Sequence, residues 1–96
     1  LKTRSDIMTY ISQSRERFAM LYDVQRIGVF GSVARGTAVD GSDLDVLVEM
    51  STPTLDKYMD LKFELEDALA MPVDLVIVDT LKQRIRPIIE QEVIYA

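Results

Sequence analysis

Asp43 and Asp45 stand two positions apart in "GSDLDVLVEM", and a Gly31-Ser32 pair lies upstream, with Ser32 eleven positions before Asp43. At i and i+2 of an extended segment, both carboxylates leave the same face a few ångströms apart. Two negative charges that close are unfavourable unless a cation or a proton lies between them. Hard oxygen ligands with open positions suit Mg²⁺, which keeps several waters and also accepts phosphate oxygens. The Gly-Ser end offers the complement. Glycine lets the backbone approach a ligand, the first N–H groups of a helix favour an anion, and the Ser32 hydroxyl is one more donor. Asp74 sits between Val73 and Leu75, where a carboxylate is costly without a partner. If the strands carrying Asp45 and Asp74 are neighbours, three carboxylates form a site for one or two metal ions.

Each feature has a plainer reading. An Asp-x-Asp in a chain with 16 acids is often a solvated edge, and Gly-Ser after a strand is often a turn with an N-cap. An arginine in place of a metal would satisfy Asp74, and Arg35 reads equally as a surface charge. "GSVARGT" has the Gly-x4-Gly spacing of a P-loop but lacks the Lys-Ser/Thr that must follow it. "DGSDLD" misses the spacing of an EF-hand calcium loop. The order strand, Gly-Ser, short helix, loop, Asp-x-Asp, then an isolated strand Asp is what favours one composite site.

The elements that must position these residues are legible in the hydrophobic pattern. Residues 5–22 read as a helix with Ser5 as N-cap, Asp6 in the first turn, and Ile7, Ile11, Phe18 and Leu21 on one face. "RIGVF" (26–30) is a short β-branched strand, and "SVARG" after it forms one or two helical turns starting at Ser32. "LDVLVEM" (44–50) alternates: Leu44, Val46, Val48 and Met50 face a core, while Asp43, Asp45, Leu47 and Glu49 face away. A second long helix covers 55–69, with Leu55, Tyr58, Met59, Leu61, Leu65 and Leu69 near one stripe. "MPVDLVIVD" (71–79) is a third strand opened by a proline. A last helix spans 81 to about 95, kinked or reset at Pro87. The order α-β-(short α)-β-α-β-α predicts an α/β (α+β) fold: a small mixed sheet of three strands with helices on one face.

Composition narrows the chemistry. The 96 residues are expected to form one domain, 1–96, with 48% apolar and 28% charged residues, an ordinary globular balance. With no cysteine and no histidine, thiolate zinc sites, disulfides and histidine-based catalysis are excluded. What remains is carboxylates, hydroxyls, Lys/Arg and backbone groups. Sixteen acids against eleven bases give a net charge of −5, so direct binding to DNA is not expected. A nucleotide is still a possible ligand when a divalent cation lies between the two negative partners. No apolar run approaches the roughly 20 residues of a membrane span, and "LKTRSDIMTYISQ" is too polar for a signal-peptide core. The expected setting is cytoplasmic, with which the lack of cysteine is compatible.

"GSVARGTAVDGSDLDVLV" closely resembles the signature of the minimal nucleotidyltransferases, small members of the DNA polymerase β-like nucleotidyltransferase superfamily. Gly31, Ser32, Ala34, Arg35, Gly36, Ser42, Asp43 and Asp45 match it, and "VDLV" places Asp74 where the family carries its third carboxylate. The resemblance implies a polymerase β palm-like fold in which Asp43 and Asp45 hold one or two Mg²⁺ ions, with Asp74 assisting and accepting the proton. Gly31 and Ser32 would hold the β- and γ-phosphates of ATP or another nucleoside triphosphate, within a nucleotide-binding motif that also includes Arg35, Gly36 and Ser42. Arg35 would contact the triphosphate or the acceptor, or form an ion pair within the loop. The acceptor hydroxyl would attack the α-phosphorus in line.

Within these 96 residues the second, acceptor-binding domain of larger relatives is not expected. In this family the missing partner is commonly a separate helical HEPN-type toxin, with the small nucleotidyltransferase as its antitoxin. The resemblance therefore implies transfer of AMP to a tyrosine of that toxin. The alternatives are an antitoxin that works by binding alone, for which the apolar helix faces and "PIIEQEVIYA" offer surface, or transfer to a small molecule.

Overall fold

A computed structural model describes residues 2–96. Helix α1 (Arg4–Tyr22) leads into strand β1 (Val24–Phe30), the short helix α2 (Gly31–Arg35) and strand β2 (Leu44–Met50). Helix α3 (Leu55–Leu69), strand β3 (Val73–Ile77), a 3₁₀ turn (Val78–Thr80), helix α4 (Arg86–Glu92) and strand β4 (Ile94–Tyr95) complete the chain. The sheet order is β3-β2-β1-β4; β2 and β3 are parallel, while β1 runs antiparallel to both β2 and β4. The sheet is mixed, as expected, with one strand more than the sequence suggests.

The helix ends follow local chemistry. Thr3, not Ser5, caps α1: its hydroxyl accepts the Asp6 N–H at 3.1 Å, and the Asp6 carboxylate accepts the Thr3 N–H at 3.1 Å. This reciprocal capping box satisfies two donors that the helix leaves open. Thr54 caps α3 through the Lys57 N–H. Pro87 falls in the first turn of α4, where its missing N–H costs nothing, so it resets the helix instead of kinking it. Residues 81–85 therefore stay outside the helix, and Ile94–Tyr95 leave it to pair with Gly28 and Val29.

The core forms where α1 and α3 cover one face of the sheet. Ile7, Ile11 and Phe18 from α1 and Leu61, Leu65 and Leu69 from α3 meet Ile27, Val29, Leu44, Val46 and Val48. Burying each such side chain contributes about 1.5–3 kcal/mol. Leu21 and Leu55, assigned to these faces by periodicity, are exposed at 53% and 74%. Both lie at helix ends, Leu21 in the last turn of α1 and Leu55 at the first position of α3, where period alone misplaces them. The buried Ser14 fills the α1 stripe instead, its hydroxyl donating to the Tyr10 carbonyl at 2.8 Å. A register shift between Val24 and Arg26 lets Val24 and Ile27 both face the core despite their odd spacing.

Between the two helices, Glu64 accepts from the hydroxyls of Tyr22 (2.8 Å) and Tyr10 (3.1 Å) and pairs with Arg17. Burial, followed by the bond to Glu64, pushes the Tyr22 phenol up to about 12. Burial tends to raise the Glu64 carboxyl, but the bonds from Arg17, Tyr22 and Tyr10 together hold it below the usual range.

The opposite face of the sheet, onto which Asp45, Leu47 and Glu49 are expected to point away from the core, is partly covered. Leu47 is fully buried on that side, outside the main core cluster. The C-terminal segment crosses this face at Gly28, where a Cβ would lie 2.7 Å from Val93 Cγ2 and 2.8 Å from the Ile94 carbonyl oxygen. Only glycine permits that crossing. Among the described residues no helix is long and apolar enough to cross a membrane.

Candidate active site

Strand pairing brings the sequence-predicted carboxylates to one place. In the parallel β2–β3 ladder, Asp45 and Asp74 are direct partners, and Asp43 immediately precedes β2. The condition that the strands of Asp45 and Asp74 be neighbours is met. Their immediate strand neighbours, Leu44, Val46, Val73 and Leu75, are all buried in the core, so the alternation of each strand turns both aspartates to the other face. Asp43 and Asp74 are exposed, while Asp45 is partly buried.

The Gly-Ser end reaches the same spot. Phe30 pairs with Asp45 across β1–β2, so Gly31 emerges beside the Asp45 carboxylate. A Cβ on Gly31 would stand 1.9 Å from Asp45 Oδ2, and the Gly31 φ of +72° is one that L side chains rarely adopt. Glycine is required here on both counts. Ser32 is half-buried on α2, and its carbonyl accepts the Thr37 N–H at 2.9 Å. From α1, Arg4 ties down α2 by donating to the Ala34 carbonyl at 2.8 Å.

The remaining motif residues shape the loop. Gly36 takes a left-handed φ of +79° and ends α2, its N–H donating to the Ser32 and Val33 carbonyls. The Ser42 hydroxyl accepts the Val39 N–H at 3.0 Å, closing the turn before Asp43. Arg35 is exposed and pairs with Glu92, whose other carboxylate oxygen accepts the Gly31 N–H at 3.0 Å. The ion pair expected within the loop is instead made to α4, 57 positions away in sequence. Glu92 itself is the residue sequence reasoning missed. It lies 61 positions from Gly31, and no local spacing connects the two. Arg35, followed by the Gly31 hydrogen bond, holds the Glu92 carboxyl below the usual range.

Electrostatically the carboxylates are unbalanced. Burial raises the Asp45 pKa first, Asp74 and Asp43 raise it further, and Arg35 opposes them only in part. Such a cluster of oxygen donors with surplus negative charge fits a hard divalent cation. Among the described residues, no three acidic side chains are already gathered at ligand distance. Asp43 and Asp74 are exposed, outside the core. A cavity of about 540 Å³ beside β3, lined by residues such as Pro53, Leu55, Tyr58 and Ile77, contains none of these groups.

Comparison with known proteins agrees with this fold. The family model described as "Nucleotidyltransferase domain" matches residues 11–96. The chain is 36% identical over 94 residues to the protein adenylyltransferase MntA of Thermococcus cleftensis, covering 97% of this chain and 95% of that one. A solved minimal nucleotidyltransferase superposes with a TM-score of 0.73 at 37% identity, over 91% of this chain and 93% of its own. A toxin–antitoxin complex with AMP-PNP shares the fold at a TM-score of 0.70 and 23% identity, over 86% of this chain and 69% of that one. The chain belongs to the nucleotidyltransferase domain family and is a nucleotidyltransferase of the minimal class.

Proposed function

We propose that this chain is a Mg²⁺-dependent protein adenylyltransferase that transfers AMP from ATP to a tyrosine hydroxyl of a helical HEPN-type toxin, and so acts as its antitoxin. The observation that carries this reading is the contact between the two ends of the motif: Gly31 lies against the Asp45 carboxylate, and Asp45 pairs with Asp74. Support for the protein acceptor comes from the MntA relative, named a protein adenylyltransferase, and from the toxin–antitoxin complex that shares the fold.

In this mechanism Asp43, Asp45 and Asp74 would hold Mg²⁺. The bound ion would lower the acceptor hydroxyl's pKa and neutralise phosphate charge. Gly31 and Ser32 hold the terminal phosphates through backbone N–H groups and the Ser32 hydroxyl, with Arg35 beside them, while Gly36 and Ser42 keep the loop in shape. The tyrosine oxygen bonds to the α-phosphorus as the bond to the bridging oxygen of the β-phosphate breaks, and pyrophosphate leaves. Asp74, exposed next to Asp45, accepts the hydroxyl proton in a site without histidine. Positioning and charge neutralisation supply most of the acceleration.

The test mixes purified protein, Mg-ATP and the HEPN-type partner and reads the partner's intact mass. One or more AMP adducts on tyrosine are expected with the wild type, and none with Asp43→Asn/Asp45→Asn, although the complex still forms. An unmodified partner in the wild-type reaction refutes the reading. If the double variant still neutralises the toxin, the chain acts by binding alone.

A further inference from the structure

We propose that Glu92 is an internal competitor for the phosphate end of the nucleotide, and that nucleotide binding releases the C-terminal α4–β4 segment. One carboxylate occupies both groups at the Gly-Ser end that are best suited to an anion: Oε2 accepts the Gly31 N–H at 3.0 Å, and Oε1 pairs with the Arg35 guanidinium. A phosphate and Glu92 cannot both take the single Gly31 hydrogen, and two anions would repel across the same guanidinium. This inference rests on the nucleotide site proposed above.

The segment that delivers Glu92 is built to let go. Helix α4 has no buried residue, and Glu92 is its last position. Strand β4 is held by only two residue pairs, Gly28 with Tyr95 and Val29 with Ile94, plus the Ala96 N–H on the Ile27 carbonyl and the Arg26 guanidinium over the Tyr95 ring. Because Val93 to Tyr95 follow Glu92 directly, displacing its carboxylate pulls on β4 where that strand crosses Gly28. By contrast, α1 and α3 are anchored by deeply buried Ile, Phe and Leu side chains and remain in place. Filling the phosphate site and detaching the segment therefore lie on the same side of one equilibrium, with the docked Glu92 on the other. The competition lowers apparent affinity by the fraction of molecules in which Glu92 is bound.

The experiment measures Mg-AMP-PNP binding by calorimetry for the wild type, Glu92→Gln and Gly28→Ala. Amide hydrogen exchange of residues 93–96 in the wild type is followed with and without the ligand. Glu92→Gln removes the competing charge and is expected to bind about 3- to 10-fold tighter, as suits a partly exposed ion pair. Gly28→Ala pushes the segment off the sheet without touching Glu92 and is expected to shift affinity in the same direction. Exchange at 93–96 is expected to accelerate when ligand is added. Unchanged or weaker binding by Glu92→Gln, or slower exchange on ligand binding, overturns the competition while leaving the nucleotide site standing. If neither the wild type nor Glu92→Gln binds Mg-AMP-PNP, the nucleotide site and the competition fall together.

Discussion

Replacing Gly31 with alanine attacks the contact that joins the two ends of the motif, and its cost can be worked from the structure. The backbone at Gly31 has φ +72°, and holding an L-residue there costs about 1–2 kcal/mol. The added Cβ would lie 1.9 Å from Asp45 Oδ2, so the carboxylate must retreat by about 1.5 Å to reach the 3.4 Å of ordinary contact. The Asp45 Cβ, at 3.1 Å, is nearly far enough already, so the side chain rotates while the strand stays in place. Rotation turns the carboxylate away from its present position between Gly31 and Asp74. A misplacement of about 1 Å at a reacting centre costs on the order of 10²-fold in rate. The expected outcome is AMP transfer reduced at least about 100-fold, with a Tm lower by roughly 5–15 °C for a domain of this size. Gly41→Ala is the control: φ there is +88° with nothing within 4 Å, so it bears the backbone cost without the collision. Mass spectrometry of the partner and thermal unfolding by circular dichroism read the two effects. Transfer by Gly31→Ala within about threefold of wild type would refute the assignment of Asp45's present position to catalysis.

Asp45→Asn tests the charge imbalance. Asp45's pKa is raised on folding, so its contribution to stability is present below the unfolded carboxylate pKa and is lost as pH rises through the folded value. At neutral pH without metal, Asp45→Asn is expected to unfold at or above the wild-type Tm while losing at least about 100-fold in transfer. Mg²⁺ at about 100 times its Kd should add roughly 2.7 kcal/mol to the wild type and much less to the variant. Glu64 has the opposite sign: its folded pKa is depressed, so its contribution holds above the unfolded carboxylate value and is lost as pH falls through the folded one. Glu64→Gln should cost about 1 kcal/mol at pH 7 through its weakened tyrosine hydrogen bonds, and should flatten the acid side of a denaturation series. An acid limb as steep as that of the wild type would show that Glu64 does not drive the acid response.

The local elements and the site's constituents were legible because both depend on near neighbours. Alternation in residues 44–50 sets Asp45 opposite the core, the long helix covers 55–69 as expected, and the motif "GSVARG…SDLD" supplies the chemistry. Strand pairing was not legible, since the register that sets Asp45 beside Asp74 depends on the whole sheet closing around Ile7, Phe18 and Leu61. The end of the chain was misread for the same reason. The last helix is expected to run to about residue 95, but Tyr95 and Ile94 find strand partners because Gly28, far away in sequence, leaves room for them. The amino-acid sequence by itself determined which groups are available: oxygen donors, the Gly31-Ser32 pair at a strand end, no histidine and no cysteine. Only the tertiary structure decided that Glu92 occupies the Gly31 N–H and the Arg35 guanidinium, because a contact spanning 61 residues is set by packing and carries no local signature.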